Sequence, residues 1–231
     1  MQHPKFFSVC NPSAVFPTRN AVVQLLRELF FIHPQNSCQP SHIEPLRAIY
    51  GGTLLESDRT ILSIFHLFEV HKKLSCASVL STWSSSGDTG STDASGAVLT
   101  LDAGKVFHTC LNFPRGLKFD LGHEYMDKSE FQEELYDPLF LNLLFARVVS
   151  GNPPSSALSW VQFFRTNIVC VVIRSLSSKD DAFRELALCN LSGLWKLLEV
   201  RESERSNSLQ FTDYPFSSRS TCRKNPMSST S

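Results

Sequence analysis

Between Tyr136 and Val200 the chain gathers its apolar residues into four short runs divided by stop signals, and this pattern narrows the fold more than any other feature. Asp137 is suited to cap the first run, because its carboxylate can accept from the free N–H groups of a first helical turn. Pro138 falls at the next position, where its missing N–H costs nothing. Leu139 to Val149 is apolar almost all round, as in a helix buried on more than one side. Gly151 and Pro153-Pro154 end it. A second helix is expected from Ser155 or Ser156, carrying Leu158, Val161, Phe163 and Phe164, and a third over Ile168–Leu176. Ser178 is the expected cap of a fourth, with Asp180 and Asp181 at the positive end of its dipole. In it Phe183, Leu186, Ala187, Leu191, Leu194, Trp195 and Leu198 recur at three- and four-residue spacing. Ile168–Ile173 is rich in β-branched residues and reads alternatively as a strand.

Successive short helices, each too apolar to stand alone, predict an all-α chain stacked as an irregular HEAT- or armadillo-like helical repeat, an α-solenoid segment. An ordinary all-α domain without a repeat is the alternative. The expected core anchors are Phe140, Leu144, Trp160, Phe164, Leu186 and Trp195.

Upstream, residues 1–18 read as an irregular arm with three prolines, and 19–80 as an N-terminal helical part. Arg19–Ile32 carries a wide apolar face. A short helix around Pro45 closes at Gly51-Gly52, another opens at Ser57 with Asp58 in its first turn, and Ser75–Trp83 adds a turn or two. Residues 81–97 are rich in Ser, Gly and Thr and read as a disordered linker. Residues 98–200 form the C-terminal helical-repeat part, with a helix from Leu101-Asp102 to Pro114, a loop over 115–128 and a brief acidic helix at Ser129–Leu135. Residues 201–231 read as a disordered tail.

Composition excludes several function classes. The 22 basic and 22 acidic residues cancel, so no overall field draws the chain to nucleic acid or a membrane surface. No apolar run reaches the roughly 18–20 residues that span a bilayer. The N-terminal residues lack the basic start and apolar core of a secretory signal. Seven scattered cysteines suggest a reducing compartment without a disulfide framework, with Cys170 and Cys189 as small core residues.

Catalytic motifs are absent from the sequence. There is no CxxC, no HExxH, no Gly-rich phosphate loop and no G-x-S-x-G elbow. Cys38 and His42 share helical spacing, but two ligands do not complete a tetrahedral zinc site. The carboxylates at Glu133, Glu134, Asp137, Asp180 and Asp181 stand at helix starts, where a dipole role suffices. No catalytic residue, cofactor, metal or small-molecule substrate is expected. Arg115 and Lys118, interleaved with Phe113 and Phe119, are the candidate RNA contacts; a loop pinned by its two Phe side chains is the plainer reading.

Four segments carry a resemblance: AVVQLLRELFFIHPQNSCQPSHIEPL, DAGKVFHTCLNFPRGL, ELYDPLFLNLLFARVVS and SLSSKDDAFRELAL. Together they resemble the C-terminal region of the nucleolar pre-ribosomal-associated protein 1 family, over most of 19–200. The more specific marks are Tyr136 to Leu141 and Leu176 to Asp180. The resemblance implies a scaffold of helical repeats in the nucleus and nucleolus that supports large-subunit (60S) pre-rRNA processing. It implies pre-60S assembly factors, including a DEAD-box RNA helicase, and pre-rRNA as partners, and it implies no catalytic residues. The chain is much shorter than a full family member and departs from it after Val200, as a fragment or short form does. The competing readings are a cytosolic protein-binding helical repeat with no RNA link, and a degraded enzyme domain whose polar residues gather near Asp137, His108 and Glu134.

Overall fold

The computed structural model describes residues 5–10, 16–84, 93–121 and 134–210, and for 16 and 201–210 the backbone alone. Among them the fold is all-α. In chain order the helices are α1 (Phe6–Cys10), α2 (Phe16–Ile32), α3 (Pro34–Ser37), α4 (Ile43–Ala48), α5 (Glu56–Lys72), α6 (Cys76–Leu80), α7 (Ala94–Leu99), α8 (Ala103–Leu111), α9 (Pro138–Ser150), α10 (Ala157–Arg165), α11 (Ile168–Ser175) and α12 (Asp181–Gln210). A 3-10 turn at Pro40–His42 leads into α4. No strand occurs among the described residues; a lone antiparallel bridge pairs Thr53 with Tyr136.

Two helices are inner rods. α5 buries every residue from Ser57 to Phe65, then Leu67 and Phe68, and stops where Lys73 turns left-handed at φ 58°. α2 lies along it, and α3 and α6 flank it. α9 is the second rod. Asp137 Oδ1 accepts from Leu139 N at 2.8 Å and Pro138 stands at the first position, as the sequence predicts. Around α9 pack α6, α7, α11 and α12, and α8 packs on α11.

Other helix starts follow local chemistry. Asp93 caps α7 and Asp102 caps α8. Ser156 and Ser159 form a reciprocal capping box at α10. Ile168–Ser175 is helical, which removes the strand alternative: Ile168, Val171, Val172 and Ser175 recur on one helical face and turn inward together.

Several expectations shift. Ser178 does not cap α12. Its Oγ accepts from Asp180 N, and Asp180 Oδ1 accepts from Phe183 N at 3.1 Å, so Asp180 is the cap. The loop is held back by Lys179 N, which donates to Arg115 O at 2.8 Å. Asp58 is more than a first-turn charge, since it lies buried in an ion pair. The N-terminal arm contains α1, whose Phe6 and Cys10 are buried. The Ser-rich segment is structured at both ends: Trp83 is buried and donates Nε1 to Tyr50 O at 2.9 Å, and α7 begins at Ala94. Its middle, 85–92, lies outside the described residues. So does most of the expected acidic helix, 129–133. The α12 backbone runs on to Gln210, ten residues into the expected tail, and 211–231 lie outside the described residues.

The parts on either side of the Ser-rich segment share one apolar core. Their backbones meet where Leu54 N donates to Leu135 O at 3.2 Å and Asp137 N donates to Gly52 O at 2.8 Å. Gly52 makes this meeting possible. Its φ is +69°, and a Cβ there would stand 2.8 Å from Phe140 Cε1. Gly52→Ala therefore combines a left-handed backbone penalty with a clash, for a loss of about 2–4 kcal/mol. Thermal unfolding checks this against Gly116→Ala, where an added Cβ meets nothing within 4 Å. Equal melting temperatures for the two variants would contradict the close approach.

Candidate functional site

The densest polar chemistry lies where the two parts join. Arg19 reaches in from α2 and pairs with Asp58 at 2.5 Å. It also donates to Ser57 Oγ, to Ile49 O at 3.0 Å and to Cys10 O at 3.1 Å. Asp58 accepts in addition from Gly51 N, Thr53 N and Thr53 Oγ1. One residue further along α5, Arg59 pairs with Asp137 at 2.8 Å and donates to Lys118 O at 3.2 Å. Asp137 is 0% exposed. Burial pushes its carboxyl above the usual range, while the Arg59 guanidinium and the Leu139 N–H pull it back. An aromatic cluster closes over the junction: Phe140 meets Trp83 at 4.9 Å and Tyr50 at 5.5 Å, both edge to face. Among the described residues the Tyr50 hydroxyl is buried without a hydrogen-bond partner, and burial with the nearby Asp137 and Asp58 charges pushes its pKa well up.

This cluster is built for cohesion. Both carboxylates spend their oxygens on arginine and on backbone N–H groups, and solvent does not reach them. The sequence-based trio of a degraded enzyme site does not come together, because Asp137 is buried while His108 and Glu134 are exposed. Among the described residues no three His, Cys, Asp or Glu side chains gather as metal ligands. Cys38 is buried, and His42 Nδ1 bonds Ser37 O at 2.6 Å. An open groove of about 570 Å³ between α9 and α12 is lined mainly by Ala146, Val149, Leu186, Leu197 and Val200, and gathers no set of acids and bases.

Of the expected anchors, Phe140 and Leu144 are fully buried, Trp160 is buried, and Leu186 packs at the core edge. Phe164 and Trp195 are corrections. Phe164 is 42% exposed because α10 turns Trp160 and Phe163 inward, leaving the next position outside. Trp195 is 64% exposed because α12 buries Phe183, Ala187, Asn190 and Leu194, a row one position back. Its indole donates to Glu199 Oε1 at 2.6 Å. Cys170 and Cys189 are likewise exposed, not core. Arg115 and Lys118 are both at the surface, with Phe113 buried beneath them and Phe119 partly exposed. Lys118 Nζ lies 3.9 Å from Asp180, so half of the candidate RNA contact faces an acid.

Sequence reasoning missed the outer rows. On α2, Leu25, Leu29 and Ile32 face out; on α12, Leu188, Trp195 and Leu198 do. Three- and four-residue spacing marked Trp195 and Leu198 as part of an apolar row without revealing which row faces a neighbour, and it did not mark Leu188. No family model, curated protein or solved structure matches this chain. No helix among the described residues is long and apolar enough to cross a membrane.

Arg59→Leu strands the buried Asp137 carboxylate, and the expected loss is about 3–5 kcal/mol in urea unfolding. Adding Asp137→Asn returns part of it. A double variant no more stable than the single one would mean that Asp137 depends on something other than Arg59. Thiol labelling tests the outward faces. Burial, with Glu69 nearby, pushes Cys76 up to about 12. In a Cys222→Ser chain, Cys170 and Cys189 are expected to react first, and Cys10, Cys38 and Cys76 only on unfolding. Protection of Cys189 in the native chain would reveal an element covering α12.

Proposed function

We propose that this chain is a non-enzymatic interaction module, an irregular helical-repeat segment that holds assembly factors in place during nucleolar maturation of large-subunit pre-rRNA. The observation that carries the docking role is the number of helices with an apolar row on each side. α2 and α12 each bury one row in the core and leave a second at the surface. A helix with two apolar sides belongs inside a stack, so these rows invite further protein. The place of work, the nucleolus, rests on the resemblance of the 19–200 segments to the nucleolar pre-ribosomal-associated protein 1 family. That resemblance also supplies the expected partners: pre-60S assembly factors, a DEAD-box RNA helicase among them, and pre-rRNA.

The module works by binding alone. A body held together by the buried Arg19–Asp58 and Arg59–Asp137 pairs offers apolar ridges on α2 and α12, and affinity comes from burying those ridges. The tagged chain, purified from nucleolar extract, is expected to recover pre-ribosomal proteins, and Leu29→Asp with Trp195→Asp to lose them while melting unchanged. Nuclear exclusion of the tagged chain with capture of cytosolic proteins would replace this reading with a general protein-binding helical module. Recovery of neither protein class would reject the docking role.

A further inference from the structure

We draw no further inference here: the strongest candidate, the open groove between α9 and α12 lined by Ala146, Val149, Leu186, Leu197 and Val200, is an unpartnered apolar face, and nothing in the structure shows what covers it.

Discussion

The ion pair between Arg59 and Asp137 joins residues 78 apart in sequence and lies almost wholly out of water. A carboxylate in that position is tolerable only with its cation and its backbone donors in place. Those donors exist because Pro138 starts a helix there, and because Gly52 lets the Thr53 strand-like segment run against Tyr136. Backbone bridge, helix cap and ion pair meet at one carboxylate. The parts before and after the Ser-rich segment are consequently one core and not two domains in series.

From this junction the rest of the architecture follows. α5 and α9 each begin beside it and run into the core as rods buried nearly all round, and the remaining helices are laid over them. Most of these outer helices are short, between four and nine residues in α3, α4, α6, α7, α8, α10 and α11. Helices of that length do not hold in water by themselves, so packing against the inner rods is what stabilises them. Arg19 repeats the logic on the other side of α5, holding α2 and the end of α1 to Asp58.

The same economy explains why the chemistry sits inside and the grease partly outside. Asp137, the one buried member of the degraded-enzyme reading, is consumed by its ion pair and its helix cap. The surface keeps apolar rows on α2, α8, α10, α11 and α12. The proposed binding role rests on these outward rows.

The sequence by itself determined the all-α class, most helix positions and several caps, because these are local. Asp137-Pro138, Ser156 and the Gly151 stop act through bonds within one turn, and Phe140 and Leu144 lie in a run so apolar that any packing buries them. Only tertiary structure decided which apolar row of an amphipathic helix faces inward. Trp195 and Phe164 lie one position from buried residues, and a rotation of about 100° per residue separates core from solvent. Only tertiary structure, too, turned Asp58 from a first-turn charge into the partner of Arg19, and set Arg59 beside Asp137. Those relations depend on residues tens of positions apart, and helical periodicity carries no information about which rods become neighbours.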